Sequence, residues 1–392
     1  MNILLIGQAD SIFFEQYIKA IKSKRPDIAI DVFSIDSING KYDLSLCDLV
    51  YVNKWETSFL KKIKGVRVFF KPFYTWFSLY IFLKKNHTKY DIIHFKWLIP
   101  GVILFPRKTK AFGKKIVATF WGGELESQKI LYSSKLYKFL LKKFICNVDV
   151  VANNLDKIKE YTNNIKKDTS IYQYAKYGSS IIQEIKNLSI NESKNISKLK
   201  IGLPENKITI AIGYSGKSIH QHIKIINTLC TNINFYNKKD NYVFILQMNY
   251  GANDSYINKV VTLLKNYNLK YLLLTTNMSE IDIARLRNAT DIMIQLSKFD
   301  GLSGSIIESL LAGSILISGK WLPYEIFNEK GLYYYELEKI DDSLPNLILK
   351  ITENIDNEFK NCQVNKNKWQ FDTWDEVIDD WINIYDNVLN KC

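Results

Sequence analysis

Two carboxylates stand eight residues apart in a glycine- and serine-rich stretch, FDGLSGSIIESLLAGS, at residues 299–314. Asp300 lies in the turn after an apolar run, and Glu308 lies inside a segment with helical spacing. A strand that passes through such a turn into a helix offers N–H groups and hydroxyls to an anion, here from residues 303–305. Taken alone, the stretch is more typical of a capped helix with one surface carboxylate.

A second glycine turn, GYSGKSIHQH at residues 213–222, follows another apolar run. Its glycines allow a sharp turn at a helix start, and Lys217 adds a positive charge, so the pattern favours phosphate binding. The spacing GxxxxGK[ST] of a P-loop is absent from the sequence. His220 and His222 are two residues apart and would not share a helix face, so a metal pair is not expected. An ordinary turn with a surface lysine is the alternative.

A third candidate is FWGGELE, residues 120–126, where an apolar run ends in Trp-Gly-Gly and two glutamates follow. Paired glycines permit the close approach of a ligand. A carboxylate beside an aromatic ring, here Glu124 beside Trp121, suits sugar binding or general-base catalysis. A turn with two acids at a helix N-terminus is an equally good interpretation.

The elements that must position these turns alternate between apolar runs and helical periodicity. The alternation predicts two Rossmann-like domains, each with a parallel sheet, in which ligands lie outside the carboxyl ends of the strands. We predict an N-terminal domain at 1–176, an interdomain segment with a short helix at 177–207, a C-terminal domain at 208–372 and a final amphipathic helix within 373–392. Residues 66–70, VRVFF, are predicted to form a strand.

The charge is strongly asymmetric. The chain of 392 residues has a formal net charge of +13, and residues 1–176 hold 30 basic and 15 acidic residues, or +15. The remainder holds 23 basic and 25 acidic residues, or −2. Basic residues interleaved with aromatics suit an anionic membrane surface or a phosphorylated acceptor, although solvated lysine-rich faces explain the charge equally well. Nucleic acid is not expected, because no nucleic-acid-binding motif accompanies the charge.

The lengths of the apolar runs and the spacing of the cysteines limit which class of protein the chain belongs to. The longest apolar runs, at 73–83 and 97–105, are too short to span a bilayer. The N-terminal stretch lacks the basic flank of a signal peptide, and the five cysteines show no ligand spacing. We therefore expect a reduced, cytoplasmic protein that uses no metal or other cofactor.

Together the turns resemble those of GT-B-fold glycosyltransferases, in which two Rossmann-like domains face each other across a cleft. DGLSGSIIE is similar to the Glu-x7-Glu pattern of the retaining enzymes, with Asp300 in place of the first Glu. The resemblance implies that Asp300 contacts the donor sugar and that Glu308 holds the ribose of the nucleotide. LLAGSILIS also resembles the AxGxPV run that follows in that family, with Ile315 where proline is common.

A narrower resemblance is to the bacterial 4-acetamido-4-deoxyfucose transferases, which elongate undecaprenyl-linked glycans. FWGGELE is similar to their WGADLY, GYSGKSIHQHI to their GNSGDxSNxHI, and MNYGANDSYINKV at 248–260 to their MGYPxNNxxYIxxV. Lys217 stands where those enzymes have Asp, so the identity of the donor is not carried over. The two families differ in mechanism, which leaves retention and inversion both open.

These resemblances imply a set of site residues. The catalytic candidates are Glu124, Asp300 and Lys217. The acceptor-binding candidates are Trp121, Gly122, Gly123 and Glu124. The donor-binding candidates are Gly213, Ser215, Gly216, Lys217, His222, Asn249, Tyr250, Asp300, Gly301, Leu302, Ser303, Gly304 and Glu308. No metal ligand is among them, and the C-terminal helix is expected to cross back onto the N-terminal domain.

The resulting hypothesis is a bacterial glycosyltransferase of hexosyltransferase type, peripheral on the inner face of the cytoplasmic membrane. It would move a sugar from a nucleotide-sugar donor to a lipid-linked glycan acceptor, or to another precursor of a surface polysaccharide such as O-antigen or capsule. The main alternative is a non-catalytic nucleotide-sugar binding protein with a degenerate GT-B site, which the Asp300 substitution favours. A GT-B-shaped epimerase, which needs no acceptor, is a third.

Overall fold

The computed structural model describes residues 1–38, 40, 43–53, 66–103, 114–120, 134–153, 156–166, 171–300 and 302–390. The chain divides into two compact units. The first unit combines Met1–Gly178 with Trp374–Cys392, and the second is Ser179–Thr373. The final helix is therefore part of the first unit although it follows the second in sequence.

The first unit is built on a seven-stranded parallel sheet in the order β3-β2-β1-β4-β5-β6-β7. Its strands are short and mostly buried, as parallel strands covered on both faces must be. They are β1 (Asn2–Gly7), β2 (Ala29–Ser34), β3 (Leu49–Val52), β4 (Ile92–Phe95), β5 (Lys115–Ala118), β6 (Val150–Asn153) and β7 (Tyr172–Tyr174).

Helices cover both faces of this sheet, because successive side chains of each strand point to opposite sides. Leu4 and Ile6 of β1 pack against one group of helices, whereas Ile3 and Leu5 pack against another. The first group is α2 (Val66–Asn86), α3 (Pro100–Ile103), α4 (Lys135–Ile145) and α5 (Asp156–Lys166), and the second begins with α1 (Ile12–Lys24).

Residues 66–70 are helical, so their prediction as a strand is wrong. They form the first turn and a half of α2, which continues past Pro72 to Asn86. Val and Phe favour strands only where they pack on a pleated surface, and this preference depends on context. Here the exposed positions recur every three or four residues along α2, which is the helical period.

In the second unit a six-stranded parallel sheet has the order β10-β9-β8-β11-β12-β13. Its strands are β8 (Ile208–Ile212), β9 (Tyr242–Gln247), β10 (Tyr271–Leu274), β11 (Ile292–Gln295), β12 (Ile315–Gly319) and β13 (Tyr335–Leu337). The chain leaves β8 towards β9 on one side and leaves β11 towards β12 on the other. The strand order thus reverses between β8 and β11, which makes this pair the topological switch point.

Two groups of helices cover this sheet as well. One face carries α8 (His222–Thr231), α9 (Ile233–Asn237), α10 (Asp254–Asn266), α14 (Ser343–Glu353) and α15 (Ile355–Cys362). The other carries α6 (Ser180–Asn191), α7 (Lys194–Lys200), α11 (Glu280–Ala289), α12 (Gly304–Leu311) and α13 (Glu325–Glu329). A short helix, α16 (Asn365–Lys368), precedes the return of the chain to the first unit.

Residues 177–207 were expected to form an interdomain segment with one short helix, yet they contain both α6 and α7. Ile182, Ile185 and Leu188 of α6 are buried with α11 and α12 in the core of the second unit. The polar Ser and Asn clusters are explained by capping, because the Ser179 and Ser193 side chains accept hydrogen bonds from the first turns of α6 and α7. From Ser179 onwards the segment thus belongs to the layer of helices that covers the second sheet.

The C-terminal helix, α17 (Trp374–Asn390), packs beside α1 on the first sheet. The Tyr17 and Tyr385 hydroxyls lie 2.6 Å apart, and the Tyr385 hydroxyl also lies 2.6 Å from Nδ1 of His94 on β4. The indole of Trp381 donates to the carbonyl of Lys176 at 2.6 Å. These buried polar contacts fix the register of α17 on the sheet, which an apolar interface alone specifies less sharply.

Among the described residues, none of the helices has the length and apolar character that crossing a bilayer requires.

Candidate functional site

Three of the loops in the second unit meet at one edge of its sheet. The chain segments after β8, β9 and β11 all begin at carboxyl ends of neighbouring strands, and β8 and β11 flank the switch point. Loops that diverge at a switch point leave a crevice between them, which is where open α/β sheets bind ligands. The predicted donor residues fall in these three segments, at 213–222, 249–250 and 300–308.

The loop after β8 packs tightly against the loop after β9. The Gly216 N–H donates to the Tyr250 carbonyl at 2.9 Å, and a Cβ atom on Gly216 would lie 2.4 Å from the Cβ of Ala252. Gly213 has φ of +62°, and a Cβ there would lie 2.7 Å from the His220 ring. Only glycine fits both positions, as close approach and positive φ require. Lys217 is exposed, so its charge faces solvent at this edge.

Replacing Gly216 with alanine should destabilise the second unit by about 1–3 kcal/mol, because backbone and Ala252 must move to admit a methyl group. Gly304→Ala is the matched control, since its Cβ would meet Glu308 Oε1 at an ordinary 3.7 Å. Urea unfolding of both variants measures the difference. Equal midpoints for the two variants would contradict this packing.

Helix α12 begins at the Gly/Ser turn. Ser303 is its N-cap residue, but the Ser303 hydroxyl makes no capping hydrogen bond. Leu302, the preceding residue, has φ of +59°, a left-handed conformation that costs a non-glycine residue about 1–2 kcal/mol. Such strain tends to cluster at ligand clamps. The first N–H groups of α12 thus have no side-chain cap from Ser303, and anion binding by residues 303–305 stays a prediction.

Glu308 lies one turn into α12 and is only 5% exposed. Its Oε2 accepts a hydrogen bond from Nε of Arg287 on α11 at 3.1 Å. The same guanidinium donates to Gln247 Oε1 at the end of β9 at 2.7 Å and to Ser305 Oγ at 3.0 Å. Arg287 thus ties α11, α12 and β9 together and fixes the orientation of the Glu308 carboxylate.

Asp300 is held by three donors of the second unit. Its Oδ1 accepts from the Tyr214 hydroxyl at 2.8 Å, and its Oδ2 accepts from Nε2 of Gln295 at 2.6 Å and from the Tyr324 hydroxyl. Burial first, and the Asp300 charge second, raise the pKa values of Tyr214 and Tyr324 above those of ordinary tyrosines. Both phenols therefore stay neutral donors to Asp300 at physiological pH.

The charges of both carboxylates act on Tyr250. Burial raises the pKa of its hydroxyl, the nearby Arg287 guanidinium lowers it, and the negative charges of Glu308 and Asp300 raise it further. A single phenol responds to both carboxylates only where both lie near it. Tyr250 is 43% exposed and follows β9, at the same edge of the sheet as Asp300.

Several buried polar atoms around this edge make no hydrogen bond of good geometry with the described residues. They are Ser215 Oγ, both ring nitrogens of His220, Nε2 of His222, Asn249 Oδ1, Gln295 Oε1 and Ser303 Oγ. Buried polar groups are nearly always paired, so a group of unpaired ones needs an explanation. A polar ligand or ordered water at the switch point would satisfy them.

His220 and His222 lie closer together than the sequence suggests. His220 ends a short 3₁₀ turn and His222 begins α8, with Gln221 between them at φ of +57°. This break in the helix brings the two ring centroids to 5.9 Å, so the expectation of separate faces, which assumed one continuous helix, was wrong. The described residues nevertheless contain no group of three or more His, Cys, Asp or Glu side chains placed to hold a metal ion.

Burial lowers the pKa of His220 to about 4 and that of His222 to about 3. Unfolding returns both to about 6.5, so the unfolded chain binds more protons between these values and stability falls as the pH falls below 6.5. His220→Gln should reduce this loss of unfolding free energy at acid pH by on the order of 3 kcal/mol. Melting temperatures between pH ~7 and ~4.5 measure it. His87→Gln, in the first unit, is the control, and parallel curves for His220→Gln and wild type would refute the assignment.

Comparison with known proteins shows the fold. No family model matches the sequence, and no curated protein matches it either. Solved structures do match over the whole chain. HepE of Anabaena, solved with UDP, has 12% identity and a TM-score of 0.67, covering 99% of this chain and 100% of its own. Sucrose-phosphate synthase of Thermosynechococcus elongatus has 12% identity and a TM-score of 0.71, and the match covers 100% of both chains. A glycosyltransferase of Rickettsia africae has 16% identity and a TM-score of 0.65, and the match covers 100% of this chain and 99% of its own.

The chain has the GT-B fold. This confirms the predicted fold class of two Rossmann-like α/β domains. Within this GT-B chain, the structure places the predicted donor residues Gly213, Ser215, Gly216, Lys217, Asn249, Tyr250, Asp300, Leu302, Ser303, Gly304 and Glu308 at the carboxyl edge of the second sheet. His222 begins α8 below the same edge and is fully buried. Trp121, Gly122, Gly123, Glu124 and Gly301 lie outside the described residues.

Four residues that contact the two candidate carboxylates directly or through a hydrogen bond were not predicted from the sequence: Arg287, Tyr214, Tyr324 and Gln295. Arg287 stands in the last turn of a helix, where a basic residue is expected to interact with the helix dipole, so its position was unremarkable. Tyr214 stands inside the quoted turn GYSGK, and only its neighbours were considered. Gln295 and Tyr324 are separated from each other by 29 residues, and the sequence holds no signal that both reach Asp300.

Proposed function

We propose that this protein is a glycosyltransferase that moves a sugar from a nucleotide-sugar donor to a lipid-linked or surface polysaccharide acceptor. The observation that carries the proposal is the group of buried polar atoms without a hydrogen bond of good geometry around the switch point of the second sheet. It lies beside a buried carboxylate, Glu308, and the open start of helix α12. The GT-B neighbours support the proposal, since HepE was solved with UDP and with UDP-glucose.

The chemistry of a nucleotide sugar matches the site in three places. The ribose diol needs hydrogen-bond acceptors, which Glu308 supplies. The diphosphate needs N–H donors and positive charge, which the start of α12 and Lys217 supply. The sugar hydroxyls need a carboxylate acceptor, and Asp300 takes this role in a donor site of the Glu-x7-Glu type.

In the transfer step, the bond between the anomeric carbon and the diphosphate oxygen breaks, and its electron pair leaves with the nucleoside diphosphate. Negative charge therefore grows on the diphosphate, where Lys217 and the first N–H groups of α12 stabilise it. The acceptor hydroxyl bonds to the anomeric carbon and gives up its proton, for which we propose Glu124 as base and Trp121, Gly122 and Gly123 as acceptor contacts. We propose no bound metal or other cofactor for this step.

The proposed setting is bacterial O-antigen or capsule synthesis, with transfer of a hexose-type sugar at the inner face of the cytoplasmic membrane. The strongly basic composition of residues 1–176 supports a surface of this kind, because anionic lipids attract clustered lysines. It also suits acceptors that carry a diphosphate. Nucleic acid is not part of the proposal.

A second candidate function is nucleotide-sugar binding without turnover. Three donors of the chain itself already occupy the Asp300 carboxylate, which leaves it fewer lone pairs for a substrate hydroxyl. This protein would then bind the donor and leave its sugar in place.

One assay separates these functions. The full chain is incubated with UDP-, GDP- and dTDP-sugars, with and without an undecaprenyl-diphosphate-linked glycan, and both nucleoside diphosphate release and glycan mass are followed. A transferase releases nucleoside diphosphate in proportion to the glycan extended, and Glu308→Gln stops both. Donor binding without release supports the binding protein, and isomerisation of the donor sugar without acceptor supports an epimerase.

A further inference from the structure

Helix α2 in the first unit presents an apolar stripe to solvent. Phe70, Phe73, Phe77 and Ile81 recur every three or four residues, and the three phenylalanines are 54%, 63% and 54% exposed. The opposite side of the helix, with Leu79, Phe82 and Leu83, is buried in the core. The exposed stripe therefore is not the core-facing side of an amphipathic helix but a second apolar face, about 16 Å long at 1.5 Å per residue.

Helix α4 adds to this face. Leu136 is 67% and Phe139 is 53% exposed, while Tyr137, Leu141 and Phe144 of the same helix are buried. Both α2 and α4 pack on the same side of the first sheet, and α3 contacts both. Their exposed residues form the α2/α4 surface. Several large exposed apolar residues on one side of a sheet mark an interaction site.

The charge on the α2/α4 surface has one sign. Neither helix contains an Asp or Glu, and the exposed lysines are Lys84, Lys85, Lys135, Lys138, Lys142 and Lys143. None of these six forms an ion pair within the part of the chain that the structure describes. Lys143 instead lies over the Phe139 ring at 4.3 Å. The opposite face of the sheet differs in charge, because one of its helices, α17, carries five acidic residues: Asp375, Glu376, Asp379, Asp380 and Asp386.

We propose that the α2/α4 surface docks this protein onto an anionic lipid bilayer. Exposed phenylalanines enter the boundary between headgroups and acyl chains, and lysines beside them bind anionic headgroups. A second copy of this chain would fit the apolar stripe, but pairing two α2/α4 surfaces would also oppose their lysines. An anionic bilayer satisfies both the apolar and the charged parts of the surface.

Part of the α2/α4 surface lies towards the carboxyl edge of the first sheet, where ligands of parallel sheets bind. Helices that follow strands of a parallel sheet run back antiparallel to them, so the N-terminal halves of α2 and α4 lie towards the carboxyl edge of the first sheet. Phe70, Phe73, Leu136 and Phe139 are all in these halves. The proposal extends the proposed function by naming its membrane contact, yet docking requires neither donor nor transfer.

The test is co-sedimentation of the full chain with vesicles of phosphatidylcholine alone or with about 30% phosphatidylglycerol. Phe73→Ser/Phe77→Ser removes two ring contacts and should lower partitioning onto the anionic vesicles by about tenfold or more. Lys138→Gln/Lys142→Gln should lower it by about fivefold per lysine at low salt and weaken its salt dependence. Ile190→Ser/Ile233→Ser removes two exposed apolar residues of the second unit and is the matched control.

The expected result is binding to anionic vesicles that is lost in the α2/α4 variants and kept in the control. Melting temperature, and its increase with nucleotide, should be the same in all four proteins, which shows that the variants are folded. The proposal would be overturned if wild type did not bind anionic vesicles, or if the phenylalanine variant bound them as well as wild type. It would also be overturned if wild type formed a dimer that did not bind vesicles and that Phe73→Ser/Phe77→Ser converted to a monomer. Retention on DNA without vesicle binding would overturn it too.

Discussion

Glu308→Gln is expected to abolish detectable nucleotide binding while the protein remains folded. The substitution keeps the side-chain volume but removes the charged acceptor proposed for the ribose diol. Hydrogen bonds to a charged group contribute about 1.5–3 kcal/mol each, so losing two corresponds to a 100-fold or greater rise in Kd. Isothermal titration of the nucleotide that binds wild type measures this directly.

Stability has to be separated from binding in this experiment, since Glu308 is buried against Arg287. Removing one partner of a buried ion pair costs about 3–5 kcal/mol, whereas replacing both with apolar residues is often neutral. The double variant Arg287→Met/Glu308→Leu should therefore lose only the hydrogen bonds to Gln247 and Ser305, about 1–3 kcal/mol each, remain folded and still bind no nucleotide. Wild-type affinity in the double variant would show that Glu308 is structural only.

A matched buried glutamate is available elsewhere in the second unit. Glu358 on α15 accepts hydrogen bonds from the Tyr333 and Tyr335 hydroxyls at 2.6 Å and 2.9 Å, away from the switch point. Glu358→Gln should lower the melting temperature without changing nucleotide affinity. If Glu358→Gln lost binding as completely as Glu308→Gln, the effect would come from unfolding and not from the site.

Asp300→Asn is expected to leave binding of the free nucleoside diphosphate within about twofold of wild type while lowering kcat/KM with the nucleotide sugar by about 100-fold. The reason is position, because Glu308 is assigned to the ribose and Asp300 to the sugar. A neutral amide weakens a hydrogen bond that a substrate hydroxyl donates to the carboxylate. Parallel titration of the diphosphate and steady-state kinetics of the sugar nucleotide give the two values.

Tyr324→Phe is the control for Asp300. It removes one of the three donors to the carboxylate and keeps the charge, so its effect on kcat/KM should be smaller than tenfold. Equal losses in both variants would mean that the hydrogen-bonded cluster matters only as packing. An unchanged kcat/KM in Asp300→Asn would remove Asp300 from the sugar site.

The turns of the second unit were predictable because each combines an apolar strand with glycines at its end. β8 and β11 carry the longest such signals, GYSG and FDGLSG, and the structure places both at the switch point. Their meeting at one edge follows from parallel strands, since carboxyl ends of such strands share an edge. Local pattern and topology together therefore predict that these turns meet, without any contact information.

The partners of the two carboxylates were not predictable in the same way. Arg287 reaches Glu308 across 21 residues of sequence and Tyr214 reaches Asp300 across 86. Such contacts depend on the packing of α11 on α12 and on the spacing of β8 and β11, which no local periodicity encodes. The strand predicted at 66–70 failed for a related reason, because β-propensity measures fit to a sheet surface that those residues do not have.

The most direct test of the donor site is a thermal-shift panel of UDP-, GDP- and dTDP-sugars with their free nucleotides, on wild type and on Arg287→Met/Glu308→Leu. A ligand at 100 times its Kd stabilises a folded protein by about 2.7 kcal/mol, which raises the melting temperature measurably. We predict a saturable increase with one nucleotide class in wild type and none in the double variant. No increase with any of these ligands in wild type, or an equal increase in both proteins, would contradict a nucleotide-sugar site at Glu308.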